Sequence, residues 1–331
     1  MLRRTLLAAG FAGLAAVATT PSFAEELKEI NVGVISTDTS AALKKLWEPL
    51  IADLGKAVGM KANGFYASDY AGVIEAMRFN KVQIAWYGNA SAVPAVDRAE
   101  GEVFARGVGL DGTQGYYSLL IVHKDSPIHS LDDIINSPGT YTFGNGDPNS
   151  TSGFLMPSYY AWAKNHIDIN KQFKRVAVGN HQSNMVAVAN KQDDVATNNT
   201  EDMAKFAKSQ PEKVAEVREI RRSPLIPGDP LVYRKDLPAD VKAKIKNFFL
   251  AYGTPAAGAG WEEQKATLNG LTYGKVDASD NNQLIPIRQV MLFRDKLKLQ
   301  DDVNMSAEEK TKRIGEIDAK LAELEKQVLT N

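Results

Sequence analysis

Thr140-Tyr141-Thr142-Phe143-Gly144-Asn145-Gly146-Asp147-Pro148-Asn149-Ser150-Thr151-Ser152-Gly153 is the stretch around which the rest of the chain is arranged. Thr140 to Phe143 is rich in strand formers. Phe154 to Ala163, which follows, has the look of a helix. The pattern is strand, glycine-bent loop, helix start. A helix start presents unpaired N–H groups and a partial positive charge, which suits an anion. Three consecutive hydroxyls, Ser150, Thr151 and Ser152, add side-chain donors. The plain alternative is a cap, with Asn149 or Ser150 closing the helix end and nothing more. No Gly-Lys-Ser/Thr follows, so this is not a Walker A loop.

The same alternation runs upstream. Ile30–Ile35 reads as a strand and 41–58 as a helix, with Leu43, Leu46, Leu50 and Leu54 at helical spacing. Gly64-Phe65-Tyr66 ends a second strand, and Tyr70–Phe79 is a helix opened by Ser68-Asp69. Gln83–Tyr87 is a third strand and Ser91–Arg98 a third helix. This β-α-β-α-β order predicts a mostly parallel sheet covered by helices, whose ligands bind beyond the carboxyl ends of the strands. Tyr70, Gly88 and Asn89 sit just past such ends. Downstream of the loop, Lys174–Val178 leads to His181, and Asp194–Thr197 leads to Asn198-Asn199-Thr200-Glu201. Tyr116–His123 is a strong strand, and Leu231–Arg234 reads as a return to the first unit. Crossings near 122 and 231 predict two lobes and one cleft: 25–122 with 232–331, and 123–231. Residues 253–274 read as irregular. In the C-terminal helix, Ile314, Ile317, Leu321, Leu324 and Val328 form a seam spaced 3, 4, 3, 4. It either packs on its own lobe or makes a homodimer contact.

The first 24 residues stand apart. Met1-Leu2-Arg3-Arg4 is basic, Leu6 to Ala18 is apolar, and Ser22-Phe23-Ala24 is a small-x-small cleavage pattern. This predicts a secretory signal peptide, residues 1–24. The surroundings of Arg3-Arg4 favour ordinary secretion over twin-arginine export. Its removal takes two arginines and no acids, so the net charge of -1 becomes -3. Neither that charge nor any basic patch interleaved with aromatics supports nucleic-acid binding. There is no cysteine, which excludes disulfides, a cysteine nucleophile, thiolate metal sites and a lipidated N-terminal cysteine. The expectation is an exported, soluble, unanchored protein. No apolar run beyond the leader reaches the length of a bilayer span.

Several polar groups follow predicted strands, at the edge where a cleft belongs: Tyr70, Tyr116, Ser150, Thr151, Ser152, His181, Glu201 and Asp229. Each alone has a plain reading. The tyrosines fit a half-buried core, His181 a structural histidine, Glu201 a helix-start acid and Asp229 a turn in Pro227-Gly228-Asp229-Pro230. Their shared position favours binding. Ser150, His181 and an acid have the residue types of a hydrolase triad, but no Gly-x-Ser-x-Gly elbow accompanies them. No His-Glu-x-x-His is present, and the histidines are four: His123, His129, His166 and His181. The reading is a binding protein, not an enzyme, with no cofactor and no metal.

Four long motifs carry a resemblance. They are Met77-Arg-Phe-Asn-Lys-Val-Gln-Ile-Ala-Trp-Tyr-Gly-Asn89, Tyr141-Thr-Phe-Gly-Asn-Gly-Asp-Pro-Asn-Ser-Thr-Ser-Gly-Phe-Leu155, Val195-Ala-Thr-Asn-Asn-Thr-Glu201 and Ser223-Pro-Leu-Ile-Pro-Gly-Asp-Pro230. They closely resemble the phosphonate-binding proteins of phosphonate ABC transporters, and the likeness runs from about Ile30 to about Phe293. The resemblance implies an α/β, two-lobed periplasmic binding protein of type II-like fold. Two mixed or mostly parallel sheets, flanked by helices, would enclose a cleft. It implies that Tyr116, Ser150, Thr151, Ser152 and His181 hold the phosphonate group. Glu201 and Asp229 would hold a ligand amine, with Tyr70 lining that end. No arginine or lysine is needed among the donors to the phosphonate oxygens. The favoured ligand is 2-aminoethylphosphonate, delivered to a membrane permease. The alternatives are phosphite, phosphate or an alkylphosphonate as ligand, or a secreted hydrolase of phosphorus compounds.

Overall fold

The computed structural model describes residues 27–330, with side chains to Gln327. The expected signal peptide and the side chain of Val328 lie outside the described residues. The strands are β1 (Glu29–Val34), β2 (Lys61–Tyr66), β3 (Ile84–Trp86), β4 (Gly101–Gly109), β5 (Gly115–Tyr116), β6 (Ser118–His123), β7 (Thr142–Asn145), β8 (Arg175–Val178), β9 (Val195–Asn199), β10 (Val217–Arg222), β11 (Ile226–Pro227), β12 (Pro230–Arg234) and β13 (Tyr273–Ala278).

The first sheet has the order β13-β4-β12-β3-β1-β2. β1 pairs parallel with β2 and β3, as the alternation of strands and helices predicts. β12 pairs antiparallel with β3 and β4, and β13 with β4. The sheet is mixed because β12 re-enters it from the carboxyl end, on the way back from the second lobe. The helix Ser40–Val58 covers this sheet. Thr39 caps its start by accepting from the Ala42 N–H, and Gly59, at φ 73°, ends it. Its inner stripe is Leu43, Trp47, Leu50, Ile51 and Leu54.

The second sheet has the order β10-β6-β9-β7-β8. β6 is buried at every position. Its side chains alternate between two cores, as strand geometry requires. Leu119 and Ile121 join Met185, Val188 and Phe206, while Leu120 and Val122 join Phe143, Trp162 and Phe173.

A two-stranded ribbon joins the lobes: Tyr116 of β5 faces Ile226 of β11, and Gly115 faces Pro227. The expected first crossing, near 122, falls inside β6, which pairs with β9 and β10 in the second sheet. The chain therefore leaves the first sheet before Ser118. The shift has a simple origin, since β5 and β6 read as one continuous apolar strand with only Tyr117 between them. The return near 231 falls in β12, within the first sheet. Residues 253–274, read as irregular, contain the helix Trp261–Gly270 and the start of β13. Only Leu268 of that helix is buried, so no apolar stripe announces it.

The helices Ile285–Asp301 and Ala307–Thr330 form a hairpin. Ile317 and Leu321 are buried, and Lys296 of the first helix pairs with Asp318 of the second at 2.5 Å. The centre of the apolar seam thus packs within its own chain. Among the described residues no helix is long and apolar enough to cross a membrane.

Gly115 has no room for a side chain, because a Cβ there would strike the Ile226 carbonyl across the ribbon. Gly115→Ala is expected to destabilise the protein by about 1–3 kcal/mol, the usual range for overpacking. Urea unfolding checks this, and an unchanged midpoint would mean that the ribbon yields freely.

Candidate functional site

The two lobes are closed on each other. The Ala90 N–H donates to Thr151 Oγ1 at 2.8 Å, the Tyr70 N–H to Asp147 Oδ2 at 3.3 Å, and the Gln182 N–H to the Thr37 carbonyl at 3.3 Å. Between them lies a small, tightly closed cavity. Tyr70, Tyr116, Ser150, Thr151, Ser152, His181, Glu201 and Asp229 all line it.

The 144–153 loop owes its shape to two features of its sequence. Gly146 packs so closely on Gly153 that a Cβ would come within 2.5 Å of its backbone, and the Gly146 N–H donates to the Gly153 carbonyl at 3.0 Å. Pro157 then deprives the following helix of an N–H. The chain answers with π-helical turns over Thr151–Leu155 and Ser158–Trp162, where a plain helix is expected. The Ser152 carbonyl, whose partner five residues on would be Pro157, accepts from the Ser118 hydroxyl at 2.5 Å instead. Widened turns of this kind recur at functional sites.

The three hydroxyls are prepared in a common way. Ser150 Oγ accepts from the Gly153 N–H at 3.0 Å. Thr151 Oγ1 accepts from Ala90, and Ser152 Oγ from Asn199 Nδ2 at 3.2 Å. Each oxygen is engaged by an internal donor, which directs its own O–H hydrogen to another acceptor. All three residues are buried, at 1–2% exposure. The result is a compact set of donors at a helix start, suited to a multi-oxygen anion.

Acids occupy another part of the wall. The Tyr116 hydroxyl donates to Asp229 Oδ1 at 2.7 Å. Burial pushes Asp229 up to about 7, although the Tyr116 bond pulls it down. Burial, followed by the charge of Asp229, pushes Glu201 well above the usual carboxylate range. Burial also holds Tyr70 and Tyr116 as neutral phenols. Tyr70 lies beside Ser150 at the anion loop, whereas the Tyr116 hydroxyl is engaged by Asp229. Tyr116 thus also reaches the acid end, beyond the phosphonate end that the resemblance implies.

Sequence reasoning missed several wall residues, among them Trp86, Asn199, Asp202 and Lys205. Lys205 forms an ion pair with Asp202 and sits 5.7 Å over the Trp86 ring. A lysine therefore lines the wall as well, paired with an acid. The spacing could have shown it, since Lys205 lies four residues after Glu201 and three after Asp202 on one helix face. Burial raises Asp202, but Lys205 and His181 outweigh it and hold the carboxyl below its ordinary range. Among the described residues, no group of three or more His, Asp or Glu side chains is disposed to hold a metal ion.

Asp229 is more protonated when the cleft buries it than when it faces water, so closing without a cation carries no penalty below the ordinary carboxylate range, is opposed increasingly as pH rises from there, and is opposed in full above about pH 7. Ligand-free Asp229→Asn should therefore show a smaller radius of gyration than ligand-free wild type at pH 8. At pH 5 the difference should be smaller. Small-angle X-ray scattering reads both, and identical curves at pH 8 would remove Asp229 from the closing equilibrium.

Comparison with known proteins places the chain in a family. A family model described as ABC transporter, phosphonate, periplasmic substrate-binding protein matches residues 32–284. The chain is 50% identical over 308 residues to the phosphonates-binding periplasmic protein of Escherichia coli K12, covering 92% of this chain and 89% of that one. A solved binding-protein component of a phosphonate ABC transporter from Pseudomonas aeruginosa superimposes with a TM-score of 0.87 at 49% identity, covering 91% of this chain and 98% of that one. The chain is also 30% identical over 233 residues to a phosphate-import protein of Mycolicibacterium smegmatis, covering 66% of this chain and 70% of that one.

Proposed function

Because the chain belongs to the family of periplasmic phosphonate-binding proteins of ABC transporters, we propose that its ligand is an aminated phosphonate, 2-aminoethylphosphonate being the best fit. As a member of that family it is the binding component of an importer and not an enzyme. Ser150, Thr151, Ser152 and His181 take the phosphonate group. Glu201 and Asp229 take the amine, and Tyr70 and Tyr116 line both ends. The protein hands the ligand to its membrane permease, having reached the periplasm by means of residues 1–24 as a signal peptide and without a lipid anchor.

One observation carries this reading. The donor set of the loop and a carboxyl pair, half-buried Glu201 and buried Asp229, share a single cavity. Buried carboxyls with raised pKa values favour a cation beside them, because it restores their ionised form. A bare phosphate or alkylphosphonate meets the donors but gives the acids nothing. A zwitterion with an ammonium a few bonds from its phosphonate satisfies both. A homodimer through the C-terminal helix would have to use its outer faces, since Ile317 and Leu321 are already covered.

Calorimetric titration with 2-aminoethylphosphonate, methylphosphonate and phosphate tests the proposal. Tighter one-to-one binding of the aminated ligand is expected. Preference for phosphate, the ligand that the Mycolicibacterium relative is named for, would leave the loop its function and remove the acids from recognition. Turnover of any phosphorus ester by the purified protein would overturn the reading as a receptor. Glu201→Gln should weaken 2-aminoethylphosphonate by about 1.5–3 kcal/mol, the range for a hydrogen bond to a charged group, and leave methylphosphonate nearly unchanged. Ser150→Ala and Thr151→Ala should instead weaken both ligands alike. Equal losses in Glu201→Gln would contradict the division of the cavity into two ends.

A further inference from the structure

We propose that Asp202 is the positioning counter-ion of His181, which takes up a proton as a dianionic phosphonate or phosphate group binds and holds that group as an imidazolium. This rests on the reading that the cavity receives such a group. His181 lines the cavity and is 3% exposed. Its Nε2 faces Asp202 Oδ2 at 3.8 Å. Its Nδ1 is buried and has no hydrogen-bond partner. The ring lies against the helix start of the loop, with Cε1 3.1 Å from where a Cβ on Gly153 would stand.

A neutral imidazole has one N–H for two nitrogens. If Nε2 keeps the hydrogen for Asp202, Nδ1 offers a lone pair to the incoming anion. If Nδ1 keeps it for the anion, a lone pair on Nε2 faces the carboxylate. Each tautomer sets an acceptor against an acceptor. Only the doubly protonated ring donates on both sides, and the second proton comes from solvent.

Asp202 is built to stay charged for this purpose. Lys205 pairs with one of its oxygens, and Asn199 Nδ2 donates to the other at 2.7 Å. The charged groups that act on His181 are Asp202 and Lys205 from the helix Thr200–Ser209 and Asp147 from the loop after β7. Burial keeps the imidazole neutral, and Lys205 acts the same way, while Asp202 and Asp147 pull towards protonation. A dianion at Nδ1 adds two charges of the sign that tips this balance. A singly charged anion of similar shape tips it less, so the pair selects for charge as well as geometry.

The test is ¹⁵N NMR of histidine-labelled protein at pH 7, with His181 assigned from His181→Gln. Methylphosphonate is the first probe, because it has no amine to involve Glu201 and Asp229; 2-aminoethylphosphonate is the second. In free protein the two ring nitrogens should resonate far apart, as in a neutral ring. At saturation both should move to the imidazolium position. Asp202→Asn should weaken methylphosphonate about tenfold or more. It should also abolish the proton uptake seen by calorimetry in buffers of different ionisation enthalpy. A purely structural Asp202 would lower the melting temperature and leave proton uptake intact, which overturns the proposal. A neutral His181 in a saturated complex overturns it while leaving the receptor reading in place. Failure of both probes to bind overturns the two together.

Discussion

Everything at this site depends on where the hydroxyl hydrogens of Ser150, Thr151 and Ser152 are made to go. A hydroxyl is an indifferent group, able to donate or accept. Here the acceptor side is taken in each case by an N–H of the protein itself, and the three donors come from different places. Gly153 belongs to the loop, Asn199 to β9 of the same lobe, and Ala90 to the opposite lobe. The set is therefore finished only when the lobes meet. Residues near the hinge, the glycine-tight loop and the widened turns around Pro157 all serve to bring these partners within reach.

Charge is laid out with the same logic. A buried carboxylate is costly unless a cation or several donors sit beside it. Asp202 has both, and remains ionised. Glu201 is its sequence neighbour, yet burial and Asp229 leave it inclined to hold a proton. Two adjacent acids on one helix turn thus have opposite characters, decided by which one faces Lys205. The lysine lies over the Trp86 ring, so the first lobe also supports a charge carried by the second.

Much of this was legible in the sequence. The alternation of β1, β2 and β3 with helices gave their parallel pairing, since a strand returned by a helix has little other choice. The eight residues chosen for their place after strands do line one cavity, because carboxyl ends of strands gather at one edge. What escaped was decided by partners distant in sequence. Asp202 and Lys205 look like solvated helix charges until Trp86 and His181 are brought beside them. Tyr70 lies beside Ser150 while Tyr116 donates to Asp229, and nothing local distinguishes them. The helix Trp261–Gly270 buries a single leucine and carries no stripe to read. Pro157 sits inside a run that reads as a plain helix, and neither the widened turns nor the use of the freed Ser152 carbonyl is visible there.

The carboxyl pair makes the outline of the protein a statement about its contents. A permease on the membrane can sense only the outer shape of a receptor that docks on it. If closure around water alone were easy, that shape would carry no information, and the transporter would be triggered by receptors with nothing to deliver. Burying Glu201 and Asp229 opposes such false signals in neutral surroundings. It opposes them less in acid, where a proton on Asp229 imitates part of what an ammonium does. Fidelity of the message, as distinct from strength of binding, is thus set by two carboxyl groups and the pH around them.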